Sequence, residues 1–302
     1  MDMIEAVGVS KQFDKIKAVD QISLTIKEGN VFGLIGTNGA GKSTFIRMLC
    51  GILKPEQGTI QIDGMDVYEN AKAKKLFFYI SDEQYYFSNS RPKDLKKFYQ
   101  RIYSDFNGER FDKLLEKFEL AQDRKITTFS KGMKKQLSII CGICANTKYL
   151  FCDETFDGLD PVVRQAVKSI FAKEITERNM TIIIASHNLR ELEDICDHVG
   201  LLHKGGVLLS KELYDMKLSI HKLQCVFQKD EDMQQALAGF EIMHNEKRGS
   251  LHTITVRGSE EIIEKQIRSV EPVFSEIIPL SLEEIFVSET EVIGYDIKKL
   301  IY

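Results

Sequence analysis

The stretch GTNGAGKST, from Gly36 to Thr44, constrains the fold of this chain more than any other feature. It fits the template G-x-x-x-x-G-K-[ST], whose glycines let the backbone curl so that its N–H groups point at phosphate oxygens. An apolar run typical of a buried strand, VFGLIG, precedes it, and apolar residues at helical spacing, TFIRMLCGIL, follow it. The stretch therefore predicts a phosphate-binding loop that ends at a helix N-terminus, where anions bind best.

This loop predicts that the chain binds a nucleoside triphosphate. Lys42 offers a mobile positive charge for the β and γ phosphates, and Ser43 offers a hydroxyl for a magnesium ion. A chance match to the four fixed positions is expected in on the order of one chain in a hundred, so the motif is specific. The loop residues assigned to nucleotide binding are Gly36, Asn38, Gly39, Gly41, Lys42, Ser43 and Thr44.

Composition limits the possible partners and compartments. The 302 residues carry a net charge of −4, and neither the first 210 residues nor the remainder is strongly basic, so nucleic acid is not expected as the main partner. No apolar run reaches the roughly 18 residues that span a bilayer, and the N-terminus does not resemble a signal peptide. We therefore expect the chain to stay in the cytosol.

The six cysteines favour core packing in a reducing compartment. Cys50, Cys141, Cys144 and Cys152 lie within apolar stretches, as small buried hydrophobic residues do. Only Cys141 and Cys144, in CGIC, have a metal-like spacing, and no second such pair or His pair completes a set of four ligands. Packing is favoured over zinc binding or redox chemistry.

The order of apolar patterns predicts an α/β fold for residues 1–215. Alternating residues in the first 35 positions predict antiparallel strands, and residues 58–67 predict a further strand pair. From about Lys93 to Lys148 the pattern is helical, and the buried strands YLFCD and TIIIAS follow, separated by a helix. This order predicts a three-layer α/β P-loop core with an antiparallel β group and a helical insertion.

Residues 216–302 predict a smaller α+β accessory domain. The segments from 217 to 280 are typical of strand, helix, strand, strand, helix and strand, with KRGS as the hairpin turn. This order matches the split βαβ pattern, so we expect a ferredoxin-like domain, closed by the helix SLEEIF.

Further segments narrow the class of nucleotide-binding protein. In YLFCDE, Asp153 at the end of a buried strand is placed to reach the magnesium ion shared with Ser43, and Glu154 to polarise a water that faces the γ phosphate. FSKGM lies upstream and opens a helix that leads into this strand. ETFDGLDP and IIIASHN follow downstream.

With these motifs in this order, the chain resembles the ATP-binding subunits of ABC transporters over residues 3–210. FSKGM, with Ser130 and Gly132, resembles the family's signature loop in a form often seen in export-type subunits. ETFDGLDP resembles its D-loop, from which Asp160 is assigned to the nucleotide site. The resemblance makes His187 the switch histidine and Phe13 the aromatic residue that stacks on adenine.

Each of these residues also has an ordinary structural interpretation. Phe13 is either the adenine-stacking residue or core, and His187 is either catalytic or a structural histidine. Ser130 and Gly132 either begin a helix or also present that helix end to the γ phosphate bound by an opposite subunit.

The chain departs from the family pattern after the strand FFYIS. The family usually has Gln where Asp82 stands, and an acid there is expected to bind magnesium through water. Thr155 stands where the family commonly has Pro, a change expected to matter little. The aromatic residues that follow Asp82 predict either core packing or a docking patch for a membrane subunit. They are Tyr85, Tyr86 and Phe87.

The resemblance implies an ATPase that forms a head-to-tail homodimer, or a heterodimer with another ATP-binding subunit, around two MgATP. It also implies a separate transmembrane permease as partner, at the cytoplasmic face of the membrane, and favours an exporter. A soluble ABC-type ATPase of translation or DNA repair is the alternative within the family, but the chain has neither two cassettes nor a long coiled coil. A nucleotide-dependent interaction module is the other alternative, against which the combination of Lys42, Asp153, Glu154 and His187 argues.

Overall fold

The structure, a computed structural model, describes residues 3–292. The described part of the chain does not include residues 1–2 or 293–302. Residues 293–302 belong to the accessory domain predicted at 216–302. The chain separates into two compact units that divide between Ser210 and Lys211. That either unit folds by itself stays a prediction.

The first unit contains parallel and antiparallel strands and the predicted helical insertion. Its strands are β1 (Met3–Phe13), β2 (Ile16–Lys27), β3 (Val31–Ile35), β4 (Gln57–Ile62), β5 (Met65–Asp66), β6 (Phe77–Ile80), β7 (Tyr149–Asp153), β8 (Thr181–Ser186), β9 (His198–His203) and β10 (Gly206–Glu212), the last of which runs past the division. Its helices are α1 (Lys42–Leu49), α2 (Ala71–Lys74), α3 (Pro92–Ile102), α4 (Gly108–Lys117), α5 (Lys131–Cys144), α6 (Pro161–Arg178) and α7 (Leu189–Leu192), with a short 3₁₀ turn at Ile126–Thr128.

A central sheet places the loops that carry the motifs at one edge. Its strand order among the described residues is β10-β9-β3-β8-β7-β6, and the pairs from β9 to β6 are parallel. Every residue of β3, β7 and β8 is buried, which explains their unbroken apolar sequences. Because the strands are parallel, the loops after β3, β6, β7 and β8 all leave from the same edge.

The predicted antiparallel group is a second sheet, with the order β2-β1-β4-β5. Residues of β2 alternate between buried and exposed, and the buried ones pack with Phe45 and Ile46 of α1 in one core. This packing fixes the helix that follows the phosphate loop.

The helical insertion, α3 to α5, lies between β6 and β7 in sequence, as predicted. α4 and α5 begin at side-chain caps, where Asn107 accepts from the Arg110 N–H and Ser130 from the Met133 N–H. Cys141 and Cys144 are buried in α5, and burial raises the pKa of Cys144 to about 12. Ile143 between them is also buried, so CGIC packs in the core.

The second unit follows the predicted order of elements. Its members are α8 (Leu213–Ser219), β11 (Ile220–Val226), α9 (Asp230–Ala236), β12 (Glu241–Arg248), β13 (Leu251–Arg257), α10 (Glu260–Arg268), β14 (Phe274–Ile278) and α11 (Leu282–Val292). The sheet has the order β12-β13-β11-β14, with every pair antiparallel. Its core joins Leu223 and Ile254 of the central strands to Ala236 and Ile263 of the helices.

No helix within residues 3–292 combines the length and the apolar character needed to cross a bilayer.

Candidate nucleotide-binding site

The phosphate loop joins β3 to α1, and two of its glycines are required by close backbone contacts. A Cβ on Gly41 would lie 2.1 Å from the Ala18 carbonyl oxygen of β2, and the φ of Gly41 is +100°. A Cβ on Gly36 would lie 2.6 Å from the Leu202 carbonyl oxygen. Residues 37–39, including Asn38 and Gly39, are exposed to solvent between these two fixed points.

The first turn of α1 is suited to an anion. Gly41 is the N-cap residue and has no side chain to accept a hydrogen bond from the helical N–H groups. Ser43 and Thr44, in this first turn, are partly exposed. An anion at this position would accept from the N–H groups and interact favourably with the helix dipole.

Lys42 is buried and folded back onto the loop. Its Nζ donates to the carbonyl oxygens of Gly36 at 2.8 Å and Thr37 at 3.2 Å, and lies 3.6 Å from Glu154 Oε1. Burial lowers the pKa of Lys42, while the nearby Glu154 carboxylate opposes this shift. These two carbonyl oxygens are neutral acceptors. The charged oxygens of a phosphate group would form stronger hydrogen bonds with the Lys42 ammonium group.

Ser43 and Asp153, far apart in sequence, meet at the edge of the sheet. Ser43 Oγ donates to Asp153 Oδ1 at 2.9 Å, and Tyr79 Oη donates to Asp153 Oδ2 at 3.4 Å. Asp153 is fully buried, and burial raises its pKa although the hydrogen bond from Ser43 acts in the opposite direction. Hydroxyl and carboxylate oxygens are the donors that a hard divalent cation prefers, so this pair fits one.

Glu154 follows Asp153 with a left-handed backbone, φ +48°, a conformation that costs free energy in a residue with a side chain. Its Oε2 lies 2.9 Å from Nδ1 of His187, which follows β8 and is half exposed. The carboxylate is thus held between Lys42 and His187. The structure brings together five predicted site residues: Lys42, Ser43, Asp153, Glu154 and His187.

The signature segment lies against the loop that follows β7. Ser130 is exposed and caps α5, while a Cβ on Gly132 would lie 3.0 Å from the Gly158 carbonyl oxygen. Lys131 Nζ pairs with Asp157 Oδ2 at 2.8 Å, and this hydrogen bond lowers the pKa of Asp157.

Three further predicted site residues make contacts away from the Lys42–Glu154 cluster. Asp160 caps α6, where Oδ1 accepts from the N–H groups of Val162 and Val163, both at 3.0 Å. Asp82 Oδ1 pairs with Lys135 Nζ at 3.2 Å. Phe13 is 43% exposed at the end of β1, with Lys11 Nζ 5.6 Å from its ring centre, so the core interpretation of Phe13 is wrong.

The aromatic residues after β6 differ in how far they are packed. Tyr86 is packed, and its hydroxyl donates to the Lys134 carbonyl oxygen at 3.0 Å and lies 2.5 Å from Ser138 Oγ. Tyr85 and Phe87 are 84% and 65% exposed, and their rings contact each other edge to face.

Sequence reasoning missed two residues that contact the site. Tyr79 binds the Asp153 carboxylate, and a tyrosine in the apolar strand FFYI gives no sign of this. Lys135 is buried against Asp82 and Glu154. Lys131 and Lys134 lie in the same stretch of helix, so no local signal marks Lys135 as the buried lysine.

Comparison with known proteins gives the family. The family model described as "ABC transporter" matches residues 19–157. The ABC transporter ATP-binding protein YtrB of Bacillus subtilis is 30% identical over 287 residues, which cover 95% of this chain and 98% of that protein. The chain belongs to the ABC transporter ATP-binding proteins. It is thus an ATP-binding subunit of an ABC transporter and an ATPase, as predicted.

Other members of the family match about two thirds of this ABC ATPase. The bacitracin transport ATP-binding protein BcrA of Bacillus licheniformis is 32% identical over 209 residues, covering 68% of each chain. A solved ATP-binding subunit of an ABC transporter superimposes with a TM-score of 0.66 at 26% identity, over 71% of this chain and 92% of that one. A dimeric bacterial ABC cassette, MJ0796, matches in fold with a TM-score of 0.64 at 19% identity, over 70% of this chain and 98% of that one. The predicted P-loop α/β fold is confirmed.

Proposed function

We propose that this ABC ATPase is the energy-supplying subunit of an exporter, and that MgATP closes it into a head-to-tail dimer that drives a separate membrane-spanning permease. The observation that carries the proposal is the cluster in which Glu154 lies between Lys42 and His187, beside the Ser43–Asp153 pair. It combines a phosphate-binding cation, a cation-binding pair and a candidate base at one edge of the sheet.

The residues divide the work of ATP binding and hydrolysis. Lys42 binds the β and γ phosphates, and Ser43 and Asp153 hold Mg²⁺, with Asp82 reaching it through water. Glu154 polarises the attacking water, and His187 fixes the direction of that carboxylate. Phe13 stacks on adenine. The remaining nucleotide contacts come from Gly36, Asn38, Gly39, Gly41, Thr44 and Asp160.

A second copy of the site residues completes the nucleotide site. Ser130 is exposed at the N-terminus of α5, and Gly132 leaves room beside it, so this helix end is open to a phosphate from another chain. The second chain is either an identical copy or another ATP-binding subunit.

Glu154→Gln tests the dimer. The variant keeps the shape of the side chain but removes the charge, so hydrolysis falls by about 10²- to 10⁴-fold while ATP still binds. We expect it to run as a dimer with MgATP and as a monomer with ADP in size-exclusion chromatography. Adding Ser130→Arg places a long side chain at the crossing contact and abolishes the dimer.

A matched control separates this contact from loss of a helix cap. Asn107→Arg removes the cap of α4 in the same way, away from the site, and the Glu154→Gln dimer should persist in it. A Glu154→Gln protein that hydrolyses ATP at the parental rate refutes the base. A dimer that is indifferent to Ser130→Arg refutes the head-to-tail arrangement, and mixing with a second ATP-binding subunit then tests the heterodimer.

Export and permease coupling rest on the form of the signature segment and on relatives whose names describe bacitracin transport and linearmycin resistance. We place the permease contact at the exposed pair Tyr85 and Phe87, directly after Asp82, so that the permease would act on the loop that carries this carboxylate. The subunit then works at the cytoplasmic face of the membrane.

Co-purification from detergent-solubilised membranes tests this contact. The parental protein should bring down an identifiable membrane-spanning protein, and the Tyr85→Ala/Phe87→Ala variant should lose it while its own basal ATP turnover is kept. Ile52→Ala, at another exposed apolar residue, is the control. Equal recovery by all three proteins would move the permease contact elsewhere.

A further inference from the structure

Lys135, in the middle of the signature helix α5, carries a charge at a fully buried position. Its side chain is 0% exposed, whereas Lys131, one helical turn earlier, is 65% exposed. A buried ammonium group is unfavourable unless charged and polar acceptors surround it, and an apolar side chain of the same length would avoid that cost. The contacts of Lys135 therefore need an explanation beyond packing.

The Nζ of Lys135 joins three loop positions at the edge of the sheet. It donates a short hydrogen bond to the backbone carbonyl oxygen of Glu154, and it lies 3.2 Å from Asp82 Oδ1 and 4.0 Å from Asp157 Oδ2. Asp82 follows β6, while Glu154 and Asp157 follow β7. One charge thus connects the signature helix to both loops.

The contact with Glu154 bears on the direction of its carboxylate. The backbone of Glu154 has a φ of +48°, which does not persist without support from the surroundings. Its N–H donates to the Ala185 carbonyl oxygen at 2.9 Å, and its carbonyl oxygen accepts from Lys135. Its carbonyl oxygen also accepts from the Asp157 N–H at 3.3 Å, so both backbone polar groups are held and Lys135 supplies one of three hydrogen bonds.

The contact with Asp82 adds a mobile partner. The Asp82 side chain is 43% exposed, so it can move away from Lys135 into solvent at little cost, whereas Lys135 has no access to water. If the loop after β6 moves, the acceptors around the Lys135 ammonium group change. The same ammonium group binds the Glu154 carbonyl oxygen.

We propose that Lys135 is a positioning residue of the ATPase. Its buried ammonium group binds both the Asp82 carboxylate and the Glu154 carbonyl oxygen. It thereby links the loop after β6 to the orientation of the Glu154 carboxylate, the candidate base. The proposal rests on the proposed function, because it takes Glu154 as the base. Lys135 touches neither the phosphate loop residues nor the Ser43–Asp153 pair in its described contacts, so we expect its loss to affect turnover more than nucleotide affinity.

Lys135→Met tests the proposal, since it keeps the length of the side chain and removes the charge. We expect kcat per nucleotide-binding site to fall by about tenfold to a hundredfold, the loss that a small misplacement of a catalytic group produces. The dissociation constant of a fluorescent ATP analogue should stay within about threefold of the parental value. Lys173→Met, which removes an exposed ammonium group on α6, should leave kcat within about twofold.

A double-mutant cycle with Asp82→Asn distinguishes positioning from a general structural role. If both residues act through one contact, Lys135→Met should cost no more than about threefold in the Asp82→Asn background. If the loss of kcat in the double variant equals the product of the two single-variant losses, the link to Asp82 is refuted. If Lys135→Met does not fold, Lys135→Gln, which keeps an N–H donor without the charge, replaces it in the same cycle.

The outcomes separate the two proposals. Parental protein without ATP turnover refutes the proposed function. Parental turnover with an unchanged kcat in Lys135→Met refutes only the positioning role, as does a Lys173→Met protein that loses as much kcat as Lys135→Met.

Discussion

Inner strands of the first unit and an edge strand of the second unit differ strongly in burial. Every residue of β7 and β8 is buried, whereas β12 in the second unit is exposed at nearly every residue. The parallel strands are covered on both faces, so charged side chains are excluded from their length and gather where the strands end. The charges of β12, including Glu246, Lys247 and Arg248, are spread along the strand, where they disfavour pairing with another edge.

This difference shows why the chemistry is found in the first unit. Asp153, Glu154 and His187 lie at the ends of β7 and β8. Asp153 is held by a hydrogen bond from Ser43, and Glu154 and His187 are held by their contact with each other. The charged side chains along β12 are exposed to solvent, so their positions are less restrained. The comparison predicts that charge substitutions matter most in the first unit and that apolar substitutions decide the stability of the second.

Lys42→Ala should have the largest effect, because it removes the cation nearest to the β and γ phosphates. Each charged hydrogen bond contributes about 1.5–3 kcal/mol, so ATP affinity should fall by more than tenfold and hydrolysis should fall to the background rate. Isothermal titration and a steady-state ATPase assay measure both effects, and circular dichroism checks that the fold survives. Parental turnover in this variant would remove the phosphate-loop assignment.

Glu174→Gln should have the next largest effect, on stability. Glu174 is buried in α6 and binds Arg110 and Arg178, with 2.6 Å between Glu174 Oε2 and Arg178 Nε. Losing one partner of a buried ion pair costs about 3–5 kcal/mol. Glu177→Gln on the same helix, in an exposed pair with Lys173, should cost less than about 1 kcal/mol.

The same pair gives the stability of the first unit a pH dependence. Burial acts to raise the pKa of Glu174, but the hydrogen bonds and charges of Arg110 and Arg178 outweigh it and hold the pKa below its ordinary value. The stabilisation is therefore fully present above the ordinary Glu pKa and is lost as the pH falls through the lowered value. Denaturant unfolding should show the difference between parent and Glu174→Gln narrowing in acid. A constant difference would contradict this assignment.

Ile254→Ala should destabilise the second unit by about 2–5 kcal/mol, because Ile254 is fully buried in its core. ATP affinity should change by less than about twofold, since the nucleotide motifs all precede Ser210. Limited proteolysis locates the destabilised unit, and a binding titration follows the site. Loss of ATP binding in this variant would show that the two units are not independent in function.

Cutting the chain after Glu212, at the end of β10, should have the smallest effect on the site. We expect a folded fragment that binds ATP within about threefold of the full chain, since each unit has its own core. Size-exclusion chromatography and the same titration provide the measurement. A well-folded fragment that cannot bind ATP would assign part of the site to the second unit.

Much of the first unit was predictable because its signals are local. The apolar runs of β7 and β8, the N-cap at Ser130 and the strand–loop–helix order around Gly36 depend on neighbours within a few residues. The proximity of Ser43 and Asp153 was also expected, since the sequence predicts that they share a magnesium ion. Lys135 did not follow, because Lys131, Lys134 and Lys135 lie within one turn and a half of helix and only packing shows which of them is buried.

The sequence by itself determined the phosphate loop, because glycine geometry and helix caps act over a few residues. It also determined the order of the motifs and the family, because each motif is a short run of neighbouring residues. Only the tertiary structure decided that Tyr86 packs while Tyr85 and Phe87 are exposed, and that Asp82 pairs with Lys135. Those outcomes depend on which side chains from distant segments meet and on how much water remains between them. Burial and long-range ion pairs are properties of the whole packed chain, and a local pattern of residues does not contain them.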